Sequence, residues 1–232
     1  PPRCPTGAAA ARVTGMRVVI AGGHGKIALR LEKLLAANGD TAVGLVRNPG
    51  HVADLRDAGA EPVLLDLENA SVAEVAETLS GADAAVFAAG AGPGSGTERK
   101  ETVDRAAAVL LAEAAERAGV RRFVQVSSMG AGQPIDAGAV GEVFAAYLRA
   151  KADAERDLRD RDLDWTILRP GRLTDEPGTG MVHLAPEVPR ADVPRDDVAA
   201  VLVELLSDTT TVGATLELTS GNTPVGEAVA RL

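Results

Sequence analysis

Tyr147 is the single tyrosine of the chain, and Lys151 follows it by four residues. Residues four apart on a helix share a face, so a phenol and an ammonium at this spacing point the same way. The neighbouring pattern sets the phase. Val143, Phe144, Tyr147, Leu148, Lys151, Ala154 and Leu158 fall on one broad side; Arg149, Asp153, Arg156 and Asp160 fall on the other. Lys151 is then a cation on the apolar side, where an ammonium without partners is costly. A phenol and a ribose hydroxyl would be suitable company. The pair suits carbonyl reduction. Hydride added to a carbonyl carbon leaves an alkoxide that needs a proton. Tyr147 can supply it, while Lys151 lowers the phenol pKa by its charge and holds a ribose. Ser127 or Ser128, just after the apolar run Arg122–Val126, can polarise the carbonyl. The competing reading makes Tyr147 a core tyrosine with its hydroxyl reaching water, and the serines turn caps.

Such chemistry needs a hydride carrier, and the opening stretch of the chain offers a place for one. Val18, Val19 and Ile20 stop at Gly22-Gly23-His24-Gly25, and a helix-period pattern follows, with Ile27, Leu31, Leu34 and Asn38 on one side. Strand, tight turn and helix in this order leave amides without partners at a helix N-terminus, where the helix dipole also attracts anions. Gly22, Gly23 and Gly25 let the backbone turn sharply and approach a diphosphate. The spacing Gly22-x-x-Gly25-x-x-Ala28 is a variant of the dinucleotide fingerprint, against the alternative of an ordinary glycine turn. Lys26 and Ile27 open the helix. His24 faces either phosphate or solvent, and no catalytic role is assigned to it.

The second strand, Thr41–Val46, ends at Arg47 with no neighbouring carboxylate, and Asp40 lies at the strand's other end. An acidic residue at that place accepts from a free ribose hydroxyl, whereas a basic one suits a 2′-phosphate. The expected cofactor is therefore NADP, with NAD the other possibility. The rival reading of Arg47 is a solvated loop charge. Asp66 and Leu67 end the third strand on the same sheet edge, where Asp66 or its backbone can meet an adenine, or simply shape a turn. Ala88, Ala89 and Gly90, after the fourth strand, are small enough to leave room for a cofactor. His51 and His183 show no partners, and no metal-ligand cluster is visible.

These residues need elements to hold them. Short apolar runs at Arg17–Ala21, Thr41–Val46, Glu61–Leu65, Ala84–Ala88, Arg122–Val126, Trp165–Arg169 and Thr215–Leu218 alternate with helical stretches, the longest at Lys100–Ala118 and Glu142–Arg161. Strands without polar alternation are covered on both faces. The expected fold is α/β, a doubly wound parallel sheet (Rossmann) in a single domain over residues 16–232. A turn-rich, irregular insert is expected near residues 172–194, on the substrate side. Residues 1–15 read as an extension with little order.

Composition narrows the function classes. The chain has 232 residues, 46% of them apolar and 2% aromatic, and a net charge of -9. That balance argues against nucleic acid, which calls for basic patches. Cys4 is the one cysteine, so no internal disulfide forms. No apolar run is long enough to span a bilayer. The expectation is a cytoplasmic monomer or homodimer acting on a small-molecule substrate.

Taken together, the glycine turn, the Tyr147-x-x-x-Lys151 helix and the serine-bearing strand resemble the short-chain dehydrogenase/reductase superfamily. Ala21–Ile27, Gly44–Pro49, Val126–Ala131, Trp165–Thr174 and Leu216–Gly221 resemble its atypical NAD(P)H-binding, epimerase-like branch. The resemblance implies that Pro170, Gly171, Arg172 and Leu173 lie near a nicotinamide. Two departures stand out. Ala28 replaces the third glycine, and Met129 stands where extended members place the catalytic hydroxyl. The branch holds oxidoreductases, epimerase-like proteins and non-catalytic NADPH-sensing regulators. The expectation is therefore an NADP-dependent oxidoreductase or epimerase-like enzyme, with a regulatory sensor as the alternative.

Overall fold

β1 (Arg17–Ala21) alternates between two cores, and the rest of the domain is laid down on either side of it. In the computed structural model, which describes residues 15–90, 92 and 95–232, Val18 and Ile20 pack on one face and Val19 and Ala21 on the other, all fully buried. Successive strand side chains point to opposite faces, so a β-branched run at this place serves two layers at once. The expectation of little order over 1–15 lies, apart from Gly15, outside the described residues.

The elements follow in chain order: α1 (Lys26–Ala37), β2 (Thr41–Val46), α2 (Val52–Asp57), β3 (Glu61–Leu64), α3 (Val72–Thr78), β4 (Ala84–Phe87) and α4 (Thr97–Arg99). A π-helical turn, Lys100–Ala106, leads into α5 (Ala107–Ala118), then β5 (Arg122–Val126), α6 (Ala137–Val140), α7 (Glu142–Arg159) and β6 (Asp164–Pro170). The chain finishes with β7 (Arg172–Thr174), β8 (Met181–Ala185), β9 (Asp192–Pro194), α8 (Arg195–Ser207), β10 (Ala214–Ser220), β11 (Thr223–Pro224) and α9 (Val225–Ala230).

Among the described residues the main sheet has nine strands in the order β11-β8-β10-β6-β5-β4-β1-β2-β3. From β3 across to β10 every pairing is parallel. One face packs on α1 and α8 through Leu31, Leu35, Val198 and Leu202; the other packs on α3, α5 and α7 through Val75, Leu111, Ala115 and Leu158. This is the doubly wound Rossmann architecture in one domain. β1 connects to β2 on one side while β4 lies on its other side, so the strand order reverses between β1 and β4. Ligands of such sheets sit in the crevice at that reversal, beyond the carboxyl ends of the strands. No helix among the described residues is long and apolar enough to cross a membrane.

Two sequence expectations need correction. The stretch after β6 is not simply irregular. β8 joins the main sheet antiparallel to β10, and β7 pairs with β9 as a separate two-stranded parallel sheet. Strands of three residues leave almost no periodicity to detect, and their partners are distant in sequence. The inward face of α1 is also shifted. Leu34 is exposed, and the buried set is Ile27, Ala28, Leu31, Glu32 and Leu35.

Glu32 is the unusual member of that set. It is fully buried beneath the glycine turn, and neither carboxyl oxygen has a hydrogen-bond partner among the described residues. Gly23 and Gly44 leave it space: a Cβ at Gly44 would stand 2.6 Å from Glu32 Oε1, and one at Gly23 3.1 Å away. Burial pushes its pKa up to about 8 from the ordinary 4.5. Between those values the folded protein keeps a proton that the unfolded chain has lost. Stability must then fall as pH rises through that window, by an amount on the order of a few kcal/mol. Glu32→Gln removes the titration. Thermal melts are expected to show the variant gaining on the parent as pH rises from 5 to 8; parallel curves would show that Glu32 does not titrate in this window.

Candidate functional site

At the reversal between β1 and β4 two loops come together. Gly22 has φ +82°, and a Cβ there would lie 2.6 Å from Ala89 Cα, so the loop after β1 can meet the loop after β4 only with glycine at this position. Gly23 donates its amide to Leu45 O at 3.0 Å and Gly25 to Gly22 O at 2.7 Å, which ties the turn to β2 and closes it on itself. α1 then begins at Lys26 with no side chain capping its first turn and no acidic residue in it. Its leading amides are left to face an anion.

The cleft over these loops has two lobes that share Gly25, Ala88, Ala89 and Gly90. The first lobe, about 300 Å³, lies over the ends of β2 and β3 and is lined by Gly22, His24, Arg47, Asp66, Leu67, Glu68 and Arg99, among others. The second, about 830 Å³, is lined by Lys26, Ile27, Lys100, Asp104, Ser127, Tyr147, Lys151 and Leu173, among others. A dinucleotide placed with its diphosphate at the shared glycines would send one half into each lobe.

In the first lobe Arg47 does have a carboxylate beside it, contrary to the reading from sequence. Glu68, from the turn after β3, accepts from Arg47 Nη1 at 2.7 Å and from Arg99 Nη2 at 2.9 Å on the same oxygen, Oε2. Thr102 Oγ1 donates to the other oxygen at 2.7 Å. Asp66 shapes that turn: its two oxygens accept from Glu68 N at 3.1 Å and Asn69 Nδ2 at 2.7 Å. His24 approaches Asp54 at 2.7 Å and stacks on His51, with ring centres 3.5 Å apart. His51 therefore has the partner that the sequence did not show. Arg99 and Glu68 carry no local motif; only the fold brings them to Arg47.

In the second lobe Tyr147 and Lys151 do face the same space, as their spacing indicated. Lys151 is 3% exposed, and its partners are not those expected. Its Nζ lies 3.3 Å from Asp104 Oδ1 and donates to Ala89 O at 3.3 Å and Val126 O at 3.2 Å. Asp104, fully buried, comes from the π-helical turn; sequence reading missed it because an ordinary α-helical phase does not single it out. Lys100, from the same turn, donates to Gly92 O at 3.0 Å and sits 5.3 Å from the Tyr147 ring centre. Lys151 lies 5.8 Å from that centre, so two cations lie near the phenol ring.

The serines separate. Ser128 makes a long contact with Met129 O at 3.5 Å and does not line the lobe, whereas Ser127 does. Ser127 Oγ donates to Glu155 Oε1 at 2.6 Å. Glu155 is fully buried and also accepts from Arg169 Nε at 2.9 Å, Arg169 Nη2 at 2.5 Å and Arg159 Nη2 at 2.9 Å. The hydrogen bond to Arg169 raises the guanidinium pKa, consistent with a tightly held pair. A hydroxyl has one proton, and that of Ser127 is committed to Glu155; toward the cleft Ser127 offers only lone pairs. The carbonyl-polarising donor expected from the sequence is thus an acceptor in this geometry.

Of the segment after β6, Leu173 lines the second lobe. Pro170 ends the strand and accepts from Met129 N at 3.0 Å, while Gly171 is pressed against Ala191, where an added Cβ would lie 2.1 Å from the carbonyl oxygen. Arg172 turns outward to pair with Asp192, and Leu173 is the member that lines the lobe. Lys26 and Arg195, at the head ends of α1 and α8, close on Asp175 from two sides. Lys26 leads in holding the Asp175 carboxyl below its usual range.

Comparison with known proteins agrees with this architecture. The family described as NAD(P)H-binding matches residues 22–209. An uncharacterised protein of Bacillus subtilis named a sugar epimerase is 38% identical over 218 residues, covering 94% of this chain and all of that one. A solved structure from Bacillus halodurans, assigned by its name to the NAD-dependent epimerases/dehydratases, superposes with TM-score 0.86 at 36% identity, over 94% of this chain and 100% of the other. An oxidoreductase from Lactococcus lactis superposes with TM-score 0.83 at 31% identity, over 94% and 96% of the two chains. The chain thus belongs to the NAD(P)H-binding family, among relatives that carry epimerase and oxidoreductase names.

Proposed function

We propose that the protein is an NADP(H)-dependent oxidoreductase acting on a small carbonyl or hydroxyl substrate. The observation that carries this reading is that Tyr147 and Lys151 face one lobe of a cleft whose floor is the glycine turn and the uncapped head of α1. Gly22, Gly25, the leading amides of α1 and Lys151 would hold the dinucleotide, which supplies hydride when bound. Tyr147 gives a proton to the oxygen of the carbonyl being reduced, or takes one in the reverse direction. Lys151, fixed by Asp104 and two backbone carbonyls, sets an ammonium 5.8 Å from the centre of the phenol ring. The same acid–base pair would serve transient oxidation in an epimerase, the activity in the name of the Bacillus subtilis relative.

NADP preference rests on Arg47 and Arg99, which converge on one oxygen of Glu68. Two guanidiniums meeting at one anionic oxygen is an arrangement that also suits a phosphate. Glu68 then competes with a 2′-phosphate for the same donors and lowers the preference that the arginines create. A second reading, a non-catalytic NADPH-sensing regulator, is favoured by the committed proton of Ser127, which leaves the dehydrogenase triad short of a donor.

Tyr147→Phe is expected to lower NADPH consumption with carbonyl substrates by about a hundredfold or more while leaving the NADPH Kd in place; undiminished turnover would reject Tyr147 as the acid. A parent protein that binds NADPH and NADP+ with different affinities and turns over nothing would favour the regulator. Calorimetric titration of the charge variants tests the cofactor. Arg47→Ala should weaken NADPH far more than NADH, and Glu68→Gln should strengthen NADPH relative to NADH by about tenfold, one charge-assisted interaction. Equal changes for both nucleotides would end the case for NADP.

A further inference from the structure

The substrate side of the second lobe combines an apolar wall with one cation left over. Val140, Val143 and Phe144 are 44%, 47% and 43% exposed, and all three line this lobe. They stand at the end of α6 and the first turn of α7, on either side of Gly141. Large apolar side chains gathered at the mouth of a cleft mark a place where an apolar body is received. Phe144 stacks on Tyr147 with ring centres 5.7 Å apart and planes at 28°, so the apolar surface runs up to the phenol.

Lys100 also lies close to the Tyr147 ring. Three other cations of the lobe have carboxylate partners: Lys151 has Asp104, and Lys26 and Arg195 share Asp175. Among the described residues no carboxylate pairs with Lys100, which is 8% exposed and makes one hydrogen bond, to Gly92 O. An ammonium has three donors, and a desolvated one without a counter-charge is expensive. A ligand anion bound there would supply the missing charge. Sugar hydroxyls call for many paired donors and acceptors, and no Asn or Gln lines this lobe among the described residues.

We propose that the substrate is an α-keto acid with a flat apolar side chain. Its carboxylate rests on Lys100, its carbonyl oxygen faces Tyr147, and its side chain lies on Phe144, Val143 and Val140. Lys100 lies 5.3 Å from the centre of the Tyr147 ring, close enough for a carboxylate on Lys100 to adjoin a carbonyl facing the phenol. Reduction forms a C–H bond at the carbonyl carbon with hydride from NADPH, and an O–H bond with the Tyr147 proton. The products are the α-hydroxy acid and NADP+, and the phenolate regains a proton from water. This inference rests on the oxidoreductase reading and goes beyond it by fixing the substrate class.

The test offers the protein and NADPH four probes: benzoylformate, its neutral counterpart acetophenone, pyruvate, and UDP-galactose. Binding is followed by saturation-transfer NMR, turnover by NADPH absorbance, and the NADPH Kd is measured separately for each variant. Benzoylformate is expected to have the lowest KM. Lys100→Met should cut the KM preference for benzoylformate over acetophenone by about tenfold, the value of one hydrogen bond to a charged group. Phe144→Ala should cut the preference for benzoylformate over pyruvate. An unchanged acid preference in Lys100→Met, or faster handling of UDP-galactose, overturns the proposal. If NADPH binds while benzoylformate neither binds nor turns over, the substrate class falls and the cofactor reading stands. If NADPH itself fails to bind, both fall together.

Discussion

The buried ammonium of Lys151 is the constraint on which the rest of the site depends. A cation that is 3% exposed has to be satisfied from inside the protein, and its partners come from three separate places. Ala89 follows β4, Val126 ends β5, and Asp104 sits in the π-helical turn. Satisfying one nitrogen therefore fixes two strand ends and two helices relative to each other. Losing Asp104 would leave charge buried without a counter-charge, which costs far more than an exposed ion pair gains. The geometry beside the glycine turn is held by this requirement, whatever the reaction. The phenol of Tyr147 takes its place from the same helix.

Glu32 makes the contrast. It too is buried, a short distance below the same loop, but among the described residues no hydrogen-bond partner reaches its carboxyl. Burial then moves its pKa rather than recruiting a counter-ion. The two groups show both ways an interior handles an ionisable side chain: it supplies partners, or it removes the charge. The supplied version lies at the cleft, where a fixed positive charge is useful. The neutralised version lies behind the glycine turn, where Gly23 and Gly44 make room for a carboxyl and a larger residue at either place would press on it.

Much of this was readable before any coordinates. The β-branched run before Gly22, the glycine spacing and the alternation of short apolar runs with helices are local signals, and they located the parallel sheet and the crevice. The helix phase at Tyr147 and Lys151 was local as well. What escaped was whatever depends on distant segments meeting. Arg99 and Glu68 reach Arg47 only because the turn after β3 and the head of the helix after β4 share one end of the sheet. Asp104 and Lys100 lie in a π-helical turn, whose wider winding breaks the phase on which sequence reading relies. β8 was hidden because its partner β10 follows it by a whole helix, and β7 and β9 because three residues carry no period.

The Glu155 cluster settles what kind of group Ser127 is. A serine at the end of a central strand reads from sequence as a donor to a carbonyl, since a hydroxyl can serve either way. The choice is made beneath it. Glu155 is fully buried and receives Arg169 and Arg159, so its oxygens can only accept. Ser127 supplies a hydroxyl proton, and the 2.6 Å contact takes it. Toward the cleft this leaves an acceptor, suited to an amide or hydroxyl of a ligand rather than to an oxygen gaining negative charge. On the proposed oxidoreductase reading, stabilising such an oxygen would fall instead to Tyr147 and the two cations near its ring. That division of labour follows from counting protons. It explains how a chain with the motifs of a dehydrogenase can hold its serine in place and still lean on other groups for the chemistry.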